Sequence, residues 1–203
     1  MGCVFARSLR YMQSKNRLTI AIPSFNRPSQ LKALVEKFFP LLGSDVRILI
    51  GDDSTDRCVF ESIRVLAESS PYIEYIKNTP RLGFNRNIVN LYNEADPGLV
   101  WFVCDDDMID VEIVPELIHC LINDSIPGAI LLNCKWTDPF GQSLTYFNAG
   151  RREFEVDGFK DKLDLLLRFT FLSIVVFGKS SDIADIDSDT FAERVFGQYM
   201  ILG

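Results

Sequence analysis

The stretch LVWFVCDDDMID, residues 99–110, joins a run of apolar residues to three consecutive aspartates. The apolar run predicts a buried strand that ends near Cys104. Adjacent carboxylates disfavour each other's ionisation, so Asp105, Asp106 and Asp107 require a compensating interaction at the end of that strand. A bound cation is the simplest such interaction. The stretch therefore predicts a strand that carries a cation site at its carboxyl end.

The segments before this stretch alternate between strand and helix patterns. Residues 17–25, 46–53 and 72–78 read as strands, and apolar residues at helical spacing follow each of them. Alternation at this spacing is typical of parallel βαβ units. We therefore predict an α/β fold with a mostly parallel central sheet flanked by helices.

Polar clusters follow three of the predicted strands. PSFNRP at 23–28, DDSTD at 52–56 and CDDDMID at 104–110 each begin where an apolar segment ends. The carboxyl ends of parallel strands meet at one edge of a sheet, and ligands of such folds bind at that edge. We therefore expect the three clusters to line one shared pocket.

The second half of the chain continues the pattern less regularly. Residues 111–124 read as a helix, 128–136 as a strand, and 137–147 as two extended arms around a turn. The apolar segment 165–178 is interrupted by Arg168, so we expect it to contribute to the core. Contact of this segment with a membrane surface is the alternative.

Composition excludes several classes of protein. The chain has 203 residues, of which 47% are hydrophobic, and this is enough for the core of one domain. A net charge of −7 argues against a general nucleic-acid binder, which needs Lys and Arg to neutralise phosphates. Five cysteines without a C-x-x-C pair indicate reduced thiols in a cytosolic protein. A single histidine, His119, excludes zinc chemistry built on histidines.

Four motifs, in this order and spacing, resemble family 2 glycosyltransferases of the GT-A fold. They are TIAIPSFNRP at 19–28, ILIGDDSTD at 48–56, NTPRLGFNRNIVNLYNEA at 78–95 and VWFVCDDDMI at 100–109. The resemblance implies transfer of a sugar from a nucleotide-diphospho-sugar to a saccharide or lipid-linked acceptor. It implies inversion at the anomeric carbon and a requirement for Mn²⁺ or Mg²⁺.

The resemblance also implies a domain organisation. Residues 1–16 form an N-terminal extension, and 17–203 form a single GT-A domain with its nucleotide-binding half at 17–110 and its acceptor-side half at 111–203. Typical relatives continue further, so we expect either a C-terminally truncated form or an intrinsically short member with altered acceptor binding. The oligomeric state is left open.

The aspartate triplet corresponds to the D-x-D motif of the family. Alternation along an extended segment would place Asp105 and Asp107 on one face and Asp106 on the other. The resemblance implies that Asp105 and Asp107 hold the divalent ion and that Asp106 contacts the ribose or the donor sugar. The competing interpretation is that an aspartate caps the helix beginning near residue 111, and for Asp110 we favour this interpretation.

Nucleotide contacts follow from the same resemblance. Asp53 is expected to accept a hydrogen bond from the base, with Asp52 beside it, although helix capping by this cluster is the alternative. Gly83 would allow the backbone to approach the nucleotide closely, and Arg86 would reach the pyrophosphate unless it forms an ordinary surface ion pair. The remaining nucleotide-sugar-binding residues are Pro23, Ser24, Phe25 and Asn26.

The catalytic base is the least defined residue of the predicted site. Inverting transfer needs a carboxylate that accepts the proton of the acceptor hydroxyl. In the family this group lies near the start of a late helix, where Asp189 is our choice and Asp187 and Glu193 are alternatives.

Three hypotheses for function remain. The first is an active glycosyltransferase of surface polysaccharide or glycolipid synthesis, located in the cytoplasm or at the inner face of the membrane. The second is a truncated or non-catalytic relative that binds the nucleotide without transferring a sugar. The third is a receiver-like phospho-acceptor domain, which needs a lysine after a later strand, where Lys135 is the nearby candidate.

Overall fold

The computed structural model describes residues 17–55, 58–122, 128–133, 135–137, 143–145 and 172–179. These residues form eight strands, four α-helices and three short 3₁₀ helices. The strands are β1 Arg17–Ser24, β2 Val46–Asp52, β3 Ile73–Lys77, β4 Gly98–Phe102, β5 Ala129–Leu131, β6 Lys135–Thr137, β7 Ser143–Thr145 and β8 Val175–Lys179. The helices are α1 Pro28–Phe38, α2 Cys58–Ser69, α3 Phe84–Glu94 and α4 Val114–Ile122.

The central sheet has the strand order β3-β2-β1-β4-β8-β5. Strands β1 to β4 are mutually parallel, and β8 runs antiparallel between β4 and β5. This arrangement confirms the predicted α/β fold with a mostly parallel sheet. The chain moves outward from β1 through β2 to β3 and then returns to the other side of β1 as β4. The loops after β1 and β4 therefore flank a topological switch point, where α/β sheets bind their ligands.

Alternating side chains of the sheet supply two cores, one on each face. One face packs against α1, α2 and α4, and the other packs against α3 and the segment that leads into β8. Phe38 of α1 meets Trp101 of β4 edge-on on the first face, with ring centroids 5.8 Å apart. Phe102 meets Phe177 in the same way on the second face, also at 5.8 Å. Edge-to-face contacts of this kind stabilise the packing of aromatic rings beyond the burial of their area.

The apolar segment near the C-terminus lies in the sheet where the structure describes it. Val175, Val176 and Phe177 of β8 are buried, so the prediction of a core role is confirmed for this part. The described helices include none that is long and apolar enough to cross a membrane.

One predicted strand proves to be two. The apolar run at 128–136 was expected to form a single strand, but β5 pairs with β8 in the main sheet whereas β6 pairs with β7 in a separate two-stranded sheet. Each half has a different partner, and this divides the run. β7 lies in the second of the two extended arms predicted within 137–147, whereas β6 overlaps the first arm only at Thr137. The turn predicted between the arms lies outside the described residues.

Lys179, the last residue of β8, closes the far end of α3. Its buried Nζ atom donates to the main-chain carbonyl oxygens of Tyr92, Asn93 and Ala95 at 2.6, 2.8 and 2.8 Å. The last carbonyls of a helix have no partner within the helix and favour a positive charge. The lysine therefore fixes α3 at this end, while the opposite end of α3 faces the candidate site.

Candidate functional site

The loops after β1, β2 and β4 meet at the carboxyl edge of the sheet. The backbone N–H of Asn26 donates to Ser54 Oγ at 2.6 Å, and the N–H of Thr55 donates to Asn26 Oδ1 at 3.2 Å. Asn26 has a φ of 55°, a left-handed conformation that asparagine adopts more readily than most residues. Ser24 Oγ donates to Asp105 Oδ2 at 3.5 Å and so joins the first loop to the third. The loops that carry the three polar clusters are therefore neighbours.

Arg27 supplies the first compensation for the charges of the aspartate triplet. Its Nη1 atom lies 2.9 Å from an oxygen of Asp105 and 2.9 Å from an oxygen of Asp106. The Asp105 side chain is only 6% exposed, whereas that of Asp106 is 61% exposed. Burial raises the pKa of Asp105, and the ion pair with Arg27 offsets part of that rise. Arg27 lies in the loop between β1 and α1, and its guanidinium reaches the turn that follows β4.

The triplet forms a turn, so the extended alternation predicted for it is wrong. β4 ends at Phe102, and the N–H of Asp107 donates back to the carbonyl oxygen of Cys104 at 3.2 Å. The alternation of side chains holds only in an extended backbone. Asp105 therefore points toward Arg27, while Asp106 and Asp107 are exposed. The assignment of Asp105 and Asp107 as metal ligands stays a prediction.

A group that could hold a metal ion is present at this turn. The ligand atoms of Cys104, Asp106 and Asp107 all lie within 4.8 Å of one another. Burial is the main cause that raises the pKa of the Cys104 thiol to about 12, and the three neighbouring carboxylates add to it. Sequence reasoning treated this cysteine as a buried thiol and did not assign it to the site.

Asp53 is buried and accepts three hydrogen bonds from the loop after β3. Asn78 Nδ2 and the N–H of Leu82 donate to Oδ1 at 2.8 and 3.2 Å, and the N–H of Gly83 donates to Oδ2 at 2.7 Å. Asn78 Nδ2 also donates to Asn87 Oδ1 on α3 at 3.0 Å. Asp53 therefore ties the end of β2 to the loop that precedes α3. Its contact with a nucleotide base stays a prediction.

The backbone at position 83 has a conformation that favours glycine. Its φ is +81°, and a Cβ atom placed on it would meet no atom of the described protein within 4 Å. The predicted close approach of a nucleotide is untested, but the positive φ alone requires glycine here. Arg86 lies in the first turn of α3, and its contact with a pyrophosphate is also untested.

Asp52 is fully buried and is held by residues of β3. Its oxygens accept from Lys77 Nζ at 2.8 Å, from the N–H of Ser54 at 2.8 Å and from the Tyr75 hydroxyl. Burial on its own would raise the pKa of Asp52, but these donors outweigh it and bring the pKa below its usual value. Lys77 is the cross-strand partner of Asp52 in the register of β2 and β3. A lysine ending the next strand is the sequence signal for this pair, and it was missed.

An exposed aromatic ring lies beside these groups. Phe25 is 39% exposed, and the guanidinium carbon of Arg81 lies 4.0 Å from the centroid of its ring. Arg81 belongs to the loop that Asp53 anchors, so the predicted nucleotide-contacting loop and the loop after β3 touch at this point. Pro23, in contrast, lies within β1 and pairs with Gly51 of β2.

The remaining predicted residues divide into two groups. Asp110 Oδ1 accepts from the N–H of Glu112 at 3.1 Å, which confirms the capping role favoured for it. Asp189 and its alternatives Asp187 and Glu193 lie outside the described residues, so the catalytic base remains a prediction.

Comparisons with known proteins agree with this geometry. The family model for Glycosyl transferase family 2 matches residues 19–140. "Uncharacterized protein MT1568" of Mycobacterium tuberculosis (strain CDC 1551 / Oshkosh) is 29% identical over 141 residues, which are 66% of this chain and 43% of that protein. The chain therefore spans less than half the length of this curated relative.

Two solved structures share the fold. S. aureus TarS 1–349 superposes with a TM-score of 0.62 and 16% identity over 80% of this chain and 47% of the other. The mannosyltransferase PcManGT from Pyrobaculum calidifontis, solved in complex with GDP-Man and Mn²⁺, gives a TM-score of 0.52 and 14% identity over 88% and 52%. The family match covers more than half of the chain and includes all three loops of the site. The chain therefore belongs to glycosyl transferase family 2 and has the GT-A type of α/β fold.

Proposed function

We propose that this chain carries the donor site of a metal-dependent, inverting glycosyltransferase. The enzyme would move a sugar from a nucleotide-diphospho-sugar to a saccharide or lipid-linked acceptor, in synthesis of surface polysaccharide or glycolipid in the cytoplasm. The observation that carries this proposal is the meeting of the acidic turn after β4 with the Ser24–Arg27 loop at the switch point. Family membership supports it, as does the nucleotide sugar bound by PcManGT.

The donor atoms of the acidic turn fit a divalent cation. Asp106 and Asp107 are exposed and present hard carboxylate oxygens, the ligand type preferred by Mg²⁺ and Mn²⁺. We propose Asp107 as the principal ligand and Asp105 as the second, and we propose that Asp106 contacts the ribose or the donor sugar. Arg27 pairs with both Asp105 and Asp106, so it would have to release these two carboxylates when the donor binds. When bound, the ion stabilises the negative charge of the departing nucleoside diphosphate as a Lewis acid. The Mn²⁺ reported with PcManGT supports this assignment.

We propose that other residues near the acidic turn contact the nucleotide. The exposed ring of Phe25 offers an apolar face for the base, and Ser24 and Asn26 position its loop. A carboxylate has about four acceptor positions, so the three donors on Asp53 leave one position that we propose accepts the N–H of a base. Asp52 has a structural role beside the proposed site, because its oxygens accept hydrogen bonds from donors of the protein.

Positive charge near the acidic turn completes the proposed donor site. Arg27 is placed to exchange its carboxylate partners for phosphate oxygens, because guanidinium groups bind both with similar geometry. Arg86, in the first turn of α3, is the second proposed phosphate contact. Asp189 is proposed to accept the proton of the acceptor hydroxyl.

A thermal-shift screen tests the donor site. UDP, GDP and TDP are added to the chain with and without Mn²⁺, and the matching nucleotide should raise the unfolding temperature only with the metal. A ligand at a hundredfold excess over its Kd stabilises the native state by about 2.7 kcal/mol. Asp107→Ala should remove the Mn²⁺-dependent part of the shift, while the capping variant Asp110→Ala retains it.

Membership of glycosyl transferase family 2 excludes the receiver-like hypothesis. A turnover assay separates the two functions that remain. Hydrolysis or transfer of the matching nucleotide sugar supports the enzyme, and metal-dependent binding without turnover supports a non-catalytic relative. An Mn²⁺-dependent shift that survives in Asp107→Ala would contradict the metal assignment.

A further inference from the structure

Asn87 is a buried polar residue in the first turn of α3, and it is only 2% exposed. Its Nδ2 atom donates to the carbonyl oxygen of Gly51 in β2 at 2.8 Å, and its Oδ1 atom accepts from Asn78 Nδ2 at 3.0 Å. A buried amide without partners destabilises a fold, so these two bonds account for a polar side chain beneath α3. The Asn87 side chain therefore links α3 directly to the end of β2.

Asn78, directly after β3, extends this link to Asp53. Its Nδ2 atom carries two hydrogens, of which one is donated to Asn87 Oδ1 and the other to Asp53 Oδ1 at 2.8 Å. Its backbone N–H donates to the carbonyl oxygen of Asp52 at 3.0 Å, which holds Asn78 beside the end of β2. Asn87, Asn78 and Asp53 thus form one buried chain of hydrogen bonds, which we call the asparagine relay.

The glycine at position 51 lets α3 rest directly on the backbone of β2. A Cβ atom at this position would lie 2.2 Å from Asn87 Oδ1 and 3.1 Å from Asn87 Cγ, so a larger residue would displace the amide. Arg86, which precedes Asn87 in the chain, is exposed. The contact between Asn87 and Gly51 therefore fixes the first turn of α3, and with it the point from which the Arg86 side chain extends.

The same relay holds the loop between β3 and α3. Asp53 accepts from the backbone N–H of Gly83, and the carbonyl oxygen of Gly83 accepts from the N–H of Asn87 at 2.9 Å. The hydrogen bonds therefore close a ring that runs from β2 through Asp53 and Gly83 to Asn87 and back to β2. Arg81, whose guanidinium lies over the exposed Phe25 ring, belongs to this loop. A shift of Asn87 would move the loop and the first turn of α3 together.

We propose that Asn87 is a positioning residue of the donor site. It acts through the asparagine relay, which holds the 78–83 loop and Arg86 at fixed positions relative to the end of β2. The groups proposed to bind the base and the pyrophosphate then keep a constant separation. The proposal deepens the proposed function, on which it rests, by naming the residue that connects these two groups. Binding groups that are already in place lose less conformational freedom when the ligand binds, and this is how Asn87 contributes to affinity.

Amide hydrogen exchange tests the asparagine relay without any nucleotide. Exchange of the Leu82 and Gly83 N–H groups is followed by NMR in the wild-type chain and in Asn87→Ala. Both rates should be about tenfold higher in the variant, because the loop has lost one of its anchors. Lys179→Met, at the opposite end of α3, is the matched control. It should leave both rates near the wild-type values, because the contacts at the first turn of α3 are kept.

Nucleotide binding tests the positioning role. The Kd values of UDP, GDP and TDP with Mn²⁺ are measured by calorimetry at a temperature at which circular dichroism shows each variant to be folded. For each nucleotide that binds the wild-type chain, Asn87→Ala should raise the Kd about tenfold. A purely structural role would lower the unfolding temperature and leave the Kd of the folded protein unchanged, which is the result expected for Lys179→Met.

A second break in the asparagine relay makes the result specific. Asn78→Ala interrupts the relay at the neighbouring link, so it tests the proposal even where Asn87→Ala folds poorly. Because both substitutions interrupt one chain, the double variant should raise the Kd hardly more than either single variant. Additive effects on the Kd would show that the two residues act independently and would overturn the relay.

The outcomes distinguish this proposal from the proposed function. Wild-type exchange rates at Leu82 and Gly83 in Asn87→Ala would overturn the relay. Faster exchange with an unchanged Kd would overturn the positioning role while the donor site stands. If none of the three nucleotides binds the wild-type chain, the donor site is rejected and the positioning role with it, whereas the exchange rates still decide whether Asn87 holds the loop.

Discussion

Replacing Asp53 with asparagine tests whether this buried carboxylate holds the loop that precedes α3. Its Oδ1 accepts from Asn78 Nδ2 and from the N–H of Leu82, and its Oδ2 accepts from the N–H of Gly83 at 2.7 Å. Asparagine has the same shape, but one of its terminal atoms is a donor. Whichever way the amide is turned, its NH₂ group faces an N–H donor.

The three hydrogen bonds of Asp53 set the expected loss of stability. If the amide oxygen takes the place of Oδ1, the Gly83 N–H loses its acceptor inside the protein. A hydrogen bond to a charged group contributes about 1.5–3 kcal/mol, and the two retained bonds weaken because their acceptor is now neutral. Asp53→Asn should therefore reduce the free energy of unfolding by about 3 kcal/mol. This is a large fraction of the roughly 5–15 kcal/mol that stabilises a typical domain.

Urea unfolding without nucleotide measures this loss. With an m-value of about 2 kcal/mol/M, the midpoint should fall by about 1.5 M at unchanged m. Asp107→Asn is the matched control, because that carboxylate is exposed, and its midpoint should stay near the wild-type value. Equal midpoints for Asp53→Asn and wild type would refute the anchoring role. A defect confined to nucleotide binding would then assign Asp53 to the base alone.

Three further substitutions probe the same framework by urea unfolding. Lys77→Met should cost about 2 kcal/mol at neutral pH, since the buried Asp52 loses a charged partner. Without Lys77, burial should raise the pKa of Asp52, so this carboxyl protonates at a higher pH in the variant than in wild type. The difference in unfolding free energy between the two proteins should therefore shrink as the pH falls toward the wild-type pKa of Asp52, which lies below 3.8, and a constant difference would exclude this pair. Lys179→Met should lower the free energy of unfolding by about 3 kcal/mol, because three carbonyls at the end of α3 lose their donor. A loss near zero would contradict the role of Lys179 in capping α3. Gly51→Ala should cost about 2 kcal/mol because a Cβ would overlap Asn87 Oδ1, so an unchanged midpoint would place Asn87 elsewhere.

The order of strands and helices up to β4 could be predicted because each element has its own local pattern. Apolar alternation, helical spacing and the polar residues after each strand depend only on neighbours in the chain. The family motifs lie in the same region, so the GT-A fold and the location of the site follow from local sequence. The strand predicted at 128–136 failed because its two halves pair with different strands, and pairing partners are not encoded locally.

The sequence by itself determined that three acidic or polar loops gather at one sheet edge, because parallel strands leave no other arrangement of their carboxyl ends. Only the tertiary structure decided how the carboxylates are used. Asp105 meets Arg27 across 78 positions of the chain, and Asp53 meets Gly83 across 30. Such contacts depend on the strand order and on the turn at Asp105–Asp107, and the side-chain pattern predicts neither of them. The packing of distant segments therefore determines which group each carboxylate contacts, whereas the local sequence determines only that the carboxylate lies at the end of a strand.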